Sequence, residues 1–108
     1  MATPEAENDD LQPLAEIDRV VHEPARLMIL ACLTAVESAD FLFVANQTGL
    51  TRGNLSSHMS RLEESGYVKV KKEFVDRIPR TLLSITKKGR DAFRTYKRNM
   101  MQVLRDLP

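Results

Sequence analysis

The clearest hydrophobic pattern of the chain lies near its middle. Leu55, Met59 and Leu62 recur at spacings of four and three residues, which places them on one face of an α-helix. Thr51 is suited to cap the first turn, and Gly66 is the residue type that most readily ends a helix. The opposite face carries small or hydrogen-bonding side chains and one guanidinium, where a solvated face usually carries Glu and Lys pairs: Gly53, Asn54, Ser57, Ser60 and Arg61. This pattern predicts a helix that buries one face and offers the other to a second surface.

A second helical pattern comes just before this one. Phe41, Val44 and Ala45 share a face that stops at Gly49, so the order is helix, glycine turn, helix. Two short helices joined in this way indicate a helix-turn-helix, whose second helix lies in the major groove of DNA. Phe41 and Phe43 are two residues apart and cannot share one helical face, so one of them is expected in the core.

After Gly66 the period of the pattern changes. Val68 and Val70 alternate with polar residues as in a half-buried strand, residues 75–80 interrupt the alternation, and residues 81–85 resume it. Lysine on an exposed edge strand can simply maintain solubility. We favour a wing whose loop, with arginines around Pro79, reaches a phosphate or the minor groove. The hairpin has five cations within twelve residues: Lys69, Lys71, Lys72, Arg77 and Arg80.

The last pattern is a long amphipathic helix. Thr86 is the expected cap, and the helix is predicted from Lys87 to about Asp106. We expect its apolar stripe to pair with the same helix of a second copy, and with the first helix, across a two-fold axis. The alternative is that the stripe folds back on its own domain. The predicted dimer interface consists of Phe93, Tyr96, Met100, Val103, Leu104 and Leu107.

The amino-terminal part is less regular. Residues 1–12 are predicted to be a disordered acidic tail, and residues 13–108 the single folded domain. A short first helix is expected over Leu14–Val21. Pro24 suits the first position of the next helix, which continues over Ala25–Val36. Its core-facing side is predicted to be Leu27, Leu30, Ala31 and Leu33 or Thr34.

The charge of the chain is unevenly distributed. The whole sequence has a net charge of +1, but residues 1–23 carry −6 and residues 24–108 carry +7. A basic domain suits an anionic partner, although charge alone does not separate DNA from RNA or an acidic protein. The 108 residues suffice for one domain. There is no apolar run of membrane-spanning length and no secretory signal, so we expect no membrane partner and a cytoplasmic location.

Candidate chemistry is sparse. Cys32, the only cysteine, is either a sensor thiol or a small apolar residue of the core, and we favour the core. His58 and His22 are the only histidines, and no cluster has metal-ligand spacing. Paired carboxylates, an activated nucleophile and a phosphate-binding glycine loop are also absent from the sequence. The sequence therefore predicts no metal, no cofactor and no enzymatic activity.

Three short motifs together resemble a known family. They are Gly-Asn-Leu-Ser-x-His at residues 53–58, Leu-Glu-Glu-x-Gly-Tyr at residues 62–67 and Pro-Arg-Thr at residues 79–81. They resemble the single-domain winged-helix transcriptional regulators related to the MarR and ArsR groups, over roughly Ile17 to Met100. The resemblance implies an α+β winged helix-turn-helix with a two- or three-stranded wing and a long carboxy-terminal dimerisation helix. It also implies a DNA-binding repressor or activator that works as a homodimer.

These inferences combine into a predicted interface with double-stranded DNA. The recognition helix, residues 51–65, would lie in the major groove and the wing, residues 69–81, on the backbone or minor groove. Bases would be read by Asn54, Ser57, His58 and Arg61, phosphates bound by Thr51, Arg52 and Ser56, and wing contacts made by Lys72, Arg77 and Arg80. Arg61 could instead pair with Glu63 or Glu64, and His58 could be partly buried. The competing function is a protein-interaction module. An unidentified small-molecule effector would fit where the first and last helices meet.

Overall fold

The computed structural model describes residues 11–108, and these form an α+β fold, as expected. Residues 11–15 are helical. The elements that follow are α1 (Pro24–Thr34), β1 (Ala39–Asp40), α2 (Phe41–Thr48), α3 (Arg52–Glu64), β2 (Val68–Val75), β3 (Ile78–Ile85) and α4 (Lys87–Asp106). Residues 1–10, most of the predicted acidic tail, lie outside the described part.

The predicted first helix over residues 14–21 is wrong, because the helical segment ends at residue 15 and turns follow. The carboxylate of Asp18 accepts hydrogen bonds from the amides of Val20 (2.9 Å) and Val21 (3.2 Å). Such a side-chain bond offers the backbone an alternative to the helix. Ile17 and Val21 are nevertheless buried in the core.

Helix α1 begins where the sequence predicts. Pro24 occupies its first turn, and the carboxylate of Glu23 accepts from the amides of Ala25 (2.8 Å) and Arg26 (3.2 Å). The predicted core-facing side needs a correction, since Ala31 is exposed and Leu27 is only half-buried. The buried side consists of Ala25, Ile29, Leu30 and Leu33.

Helices α2 and α3 form the predicted pair around a tight turn. Asp40 caps α2 by accepting from the amide of Leu42 (2.9 Å), and Gly49 ends it with φ 72°. Only glycine adopts that left-handed conformation without a steric penalty. Thr51 then caps α3, accepting from the amide of Asn54 at 3.1 Å. The apolar stripe of α3 is buried, as predicted: Leu55, Met59 and Leu62.

The sheet is antiparallel with the order β1-β3-β2. The predicted loop over residues 75–80 is wrong, because the strands continue to a two-residue turn at Asp76 and Arg77, with φ 52° and 68°. Positive φ at both positions is the geometry of a turn that matches strand twist. Pro79 is tolerated within β3 because β1 pairs only with Leu82 and Leu83, so this part of β3 has a single neighbouring strand.

Helix α4 is fastened to the sheet at its start. The hydroxyl of Thr86 accepts from the amide of Gly89 (2.9 Å) and donates to the carbonyl of Gly66 (2.7 Å). Gly89 is buried so closely against the Tyr67 backbone that a Cβ atom would overlap the Tyr67 carbonyl oxygen. The first half of α4 thereby brings Phe93 and Tyr96 into a core shared with α1, α3 and the sheet.

Candidate nucleic-acid interface

The exposed face of α3 is polar and free of ion pairs. Its three buried apolar residues anchor one side of the helix, so the other side faces solvent. Within residues 11–108, neither Arg52 nor Arg61 is within ion-pair distance of a carboxylate, so the pairing of Arg61 with Glu63 or Glu64 is not formed. The exposed polar residues of α3 are Arg52, Asn54, Ser56, Ser57, Ser60 and Arg61, with two acidic residues at its end, Glu63 and Glu64.

His58 is oriented differently from these residues. Its Nδ1 lies 3.3 Å from a carboxylate oxygen of Glu23 and 3.2 Å from a guanidinium nitrogen of Arg26, and the side chain is half-buried. Arg26 also donates to the carbonyl of Val20. The histidine predicted to read a base therefore contacts α1 and the turn before it, and helps to hold α3 in place.

The Glu23 carboxylate is central to this contact. Burial raises its pKa, but hydrogen bonds from the amides of Ala25 and Arg26, together with the charges of His58 and Arg26, lower the pKa overall. A lowered pKa keeps the carboxylate ionised, which suits its two roles as cap of α1 and partner of His58.

A groove separates α3 from the β2–β3 hairpin. It encloses about 530 Å³. Hydroxyl groups of Ser56 and Ser60 and the ammonium group of Lys72 line it, together with one carboxylate, that of Glu63. Hydroxyl and ammonium donors are the groups that contact phosphate oxygens in protein–DNA complexes. The groove thus brings together a predicted phosphate contact, Ser56, and a predicted wing contact, Lys72, from different elements.

The two arginines predicted at the wing loop are separated in the structure. Arg77 occupies the turn and is exposed. Arg80 lies within β3, and its Nε is 3.3 Å from a carboxylate oxygen of Asp40. Hydrogen bonding from the Leu42 amide, and then the contact with Arg80, keep the pKa of Asp40 below its usual range. Arg80 therefore attaches the hairpin to the start of α2, and Arg77 is the arginine at the tip.

The hairpin tip also carries apolar side chains that the sequence analysis missed. Phe74 is 75% exposed and Ile78 is 64% exposed. The sequence contained a signal, because Phe74 and Val75 are adjacent apolar residues beside the polar turn. The predicted loop covers residues 75–80 and does not include Phe74, and the pattern of the hairpin predicts no role for its apolar side chains.

The apolar stripe of α4 is divided between two environments. Phe93, Tyr96 and Val103 are buried within the chain itself, so they cannot supply the exposed surface that the predicted dimer needs. His22 lies at hydrogen-bond distance from the Tyr96 hydroxyl, 2.9 Å away. Met100 is half-buried. The exposed apolar residues of the last turns are Met101, Leu104 and Leu107, of which Met101 was not predicted.

A second cavity, of about 410 Å³, lies between the amino-terminal turn and α4. It lies within one chain, whereas the unidentified effector is expected where the first and last helices meet in the dimer. Its lining includes three carboxylates, those of Glu16, Asp18 and Asp91, and the ammonium group of Lys88. Burial and the hydrogen bond to Asp18 raise the pKa of the Tyr67 hydroxyl, which also lines the cavity, to about 12.

The remaining candidate groups are the single thiol and the possible metal ligands. Cys32 is half-buried against the core, and burial raises the pKa of its thiol, which opposes thiolate formation. In the part of the chain from residue 11 onward, no group of histidine, cysteine and carboxylate side chains could hold a metal ion. No helix in that part has the length and apolar character required to cross a membrane.

The geometry described above is that of a known DNA-binding architecture. A family model described as a winged helix DNA-binding domain matches residues 25–104. The chain belongs to this winged-helix family. The β2–β3 hairpin is its wing, and α3 takes the position of the recognition helix. The resemblance to winged-helix regulators inferred from the three motifs is confirmed.

Similar proteins support the same classification. An uncharacterized protein of Methanocaldococcus jannaschii is 34% identical over 89 residues, which cover 82% of this chain and 97% of that protein. A transcriptional regulator homologue protein from Pyrococcus horikoshii OT3 has a structure with a TM-score of 0.81 and 32% identity, covering 92% of this chain and 99% of that one. The transcriptional repressor CouR, solved bound to a 23-mer DNA duplex, shares the fold with a TM-score of 0.72 and 24% identity, over 92% of this chain and 67% of CouR.

Proposed function

We propose that this winged-helix protein is a transcriptional regulator that binds specific sequences of double-stranded DNA as a homodimer. In each subunit α3 enters the major groove, and the wing contacts the adjacent backbone and minor groove. The observation that carries the proposal is the exposed polar face of α3, whose arginines have no ion pair within residues 11–108, beside a groove lined by Ser56, Ser60 and Lys72.

The arrangement suits DNA for physical reasons. Small polar side chains allow the backbone of α3 to come close to base edges, and Gly53 has open space around the position of a Cβ atom. Residues 24–108 carry a net charge of +7, which attracts a polyanion and accelerates association. CouR, which shares the fold, binds a DNA duplex.

The proposed contacts follow from where each side chain lies. Asn54, Ser57 and Arg61 would read base edges, with the Arg61 guanidinium suited to the O6 and N7 acceptors of guanine. Phosphates would be bound by Thr51, Arg52, Ser56 and Lys72, and the minor groove approached by Arg77. Arg80 and His58 are assigned positioning roles, since their side chains contact Asp40 and α1 respectively.

The homodimer is proposed from the end of α4. Leu104 is 62% exposed there, beside exposed Met101 and Leu107. Leu11 and Leu14 of the helical segment over residues 11–15 are exposed as well. Joining these surfaces across a two-fold axis would bury apolar area and place two recognition helices on one side. The two half-sites would then lie about one helical turn, roughly 34 Å, apart.

Salt dependence of DNA binding tests the wing contact. Each phosphate contact that is lost should reduce the slope of log affinity against log salt by about 0.9. Arg77→Gly removes the tip cation, and glycine is favoured at the φ of 68° found there, so folding should be preserved. We expect weaker binding of a random-sequence duplex with a shallower slope, measured by fluorescence anisotropy.

Arg98→Ala is the matched control, because Arg98 is an exposed cation of α4 outside the proposed interface. It should leave the slope unchanged. An Arg77→Gly slope equal to that of the unaltered protein would remove Arg77 from the interface. Absence of any binding by the unaltered protein at low salt would contradict the DNA-binding function and favour a protein-interaction module.

A further inference from the structure

The tip of the wing combines a large apolar side chain with cations. The exposed arm of the hairpin extends from the pair Lys71–Leu82 to the pair Val75–Ile78, a length of about 13 Å at the usual rise per residue. Phe74 lies near its end with three quarters of its surface exposed. A wing that served only to hold phosphates would not need an exposed aromatic ring at this position.

The register of the hairpin determines which face each side chain occupies. Residues paired directly across an antiparallel ladder point to the same face, and successive residues alternate. Val68 and its partner Ile85 are buried in the core, so this face is the inner one. Phe74 and its partner Pro79 lie on the same inner face, whereas Ile78 lies on the outer face.

The inner face continues the groove beside α3. Lys72 lines the groove opposite Ser56 and Ser60, and Phe74 is the next side chain on the same face toward the tip. Two residues of a strand span about 7 Å. A DNA backbone that follows the groove past Lys72 therefore meets Phe74 next.

The charge of the hairpin favours an anionic occupant of this surface. Five cations and two acids lie between Lys69 and Arg80. One of the acids, Glu73, is within 3.6 Å of Lys71. An apolar tip surrounded by net positive charge suits the minor groove of DNA, where proteins insert apolar side chains between base steps and cations neutralise the phosphates.

We propose that Phe74, backed by Pro79 on the inner face of the wing, is an apolar wedge that contacts base edges in the minor groove, loosens a base step and bends the duplex. This inference rests on the proposed DNA-binding function and adds to it a shape-dependent contact. Sequence specificity at the wing would then depend on how easily a base step of the DNA unstacks. Pyrimidine–purine base steps unstack most easily, so the wing would prefer them.

The test compares two threonine substitutions in one hairpin. Phe74→Thr removes the inner-face ring, and Ile78→Thr removes a similarly exposed apolar side chain from the outer face. Threonine suits a strand, so neither variant should disturb the hairpin, and thermal melting checks this. The probe is the duplex that the unaltered protein enriches from a random-sequence pool, with fluorophores at both ends to report bending.

We expect Phe74→Thr to weaken binding by about tenfold and to abolish a bend of about 20° or more. Because phenylalanine is uncharged, the salt slope should not change. Ile78→Thr should retain both affinity and bend. A 2-aminopurine placed at the wing-contacted step should brighten when the unaltered protein binds, and stay quenched with Phe74→Thr.

Other outcomes overturn the wedge in distinguishable ways. Binding and bending unaffected by Phe74→Thr would refute it while leaving the proposed function intact. Equal losses of affinity and bending in the two variants would show that any exposed apolar side chain of the hairpin has this effect, and would also refute the wedge. If Phe74→Thr altered the sedimentation of the free protein and not its DNA affinity, the ring would belong to a contact between subunits. An unaltered protein that enriched no duplex would refute both the wedge and the proposed function.

Discussion

Gly89→Ala is expected to lower the free energy of unfolding by about 3 kcal/mol, near the upper end of the cost of overpacking a core. Alanine is a better helix former than glycine by about 1 kcal/mol, so helix propensity alone predicts the opposite sign. The clash decides the result, because the new Cβ would overlap the Tyr67 carbonyl oxygen and lie 2.9 Å from the Ile85 side chain. The melting temperature should fall by about 12 °C or more.

Gly53→Ala is the matched control, since Gly53 also lies in a helix. No atom lies within 4 Å of the position of its Cβ. This variant should be neutral or raise the free energy of unfolding by up to about 1 kcal/mol, because alanine restricts the unfolded chain. Urea unfolding of both variants measures the difference. Equal stabilities for the two variants would show that α4 does not pack on the Tyr67 backbone as described.

Leu104→Asp is expected to convert the proposed dimer into monomers at micromolar concentration. The side chain is 62% exposed within one chain, so the substitution should leave the fold of each subunit and its melting temperature nearly unchanged. In a dimer the new carboxylate would be buried without a partner, which is strongly unfavourable. Affinity for a duplex with two half-sites should fall at least about 100-fold, because the two recognition helices would no longer be linked.

Gln102→Asp provides the control for Leu104→Asp. Gln102 is exposed on the same helix. It is two positions before Leu104, so the two side chains point to roughly opposite sides of the helix. It introduces the same charge without touching the proposed interface, so sedimentation and DNA affinity should not change. A dimer that survived Leu104→Asp, or an unaltered protein that sediments as a monomer, would contradict the role given to the end of α4.

Features determined by local rules were predictable from the sequence. Capping by Thr51 and Thr86 depends on one hydroxyl and amides within three residues, and both caps form as expected. The buried stripe of α3 follows from the 3.6-residue period alone. Together with the glycine turn at Gly49, these elements were enough to infer the helix-turn-helix and the α+β class.

Features determined by distant partners were not predictable. Asp18 holds the turn after the first helical segment by accepting from the amides of Val20 and Val21, and it also accepts from the Tyr67 hydroxyl, 49 residues away. Arg80 is held by Asp40, and His58 by Glu23, in each case across elements far apart in sequence. The predicted site mixed such positioning residues with exposed ones because a helical projection does not show which neighbours a polar side chain meets.

The hairpin shows a second reason for error. The interruption of the alternating pattern at residues 75–80 predicts a loop that includes Pro79, and proline does remove a ladder hydrogen bond from a strand. Only the strand register shows that β1 ends opposite Leu82, so that β3 has a single neighbour at Pro79 and proline is acceptable there. Similarly, the division of the α4 stripe into a buried part and an exposed end depends on where the sheet and α1 lie, which the periodicity does not contain.

The most direct test of the central claim is selection of DNA from a random-sequence pool by the purified protein, repeated with Arg61→Ala. We expect the unaltered protein to enrich a two-fold symmetric sequence with half-sites about one helical turn apart. Arg61→Ala should lose preference for one guanine in each half-site, at a cost of about 1–3 kcal/mol per half-site. Binding without an enriched motif, or a motif unchanged by Arg61→Ala, would contradict base reading by α3.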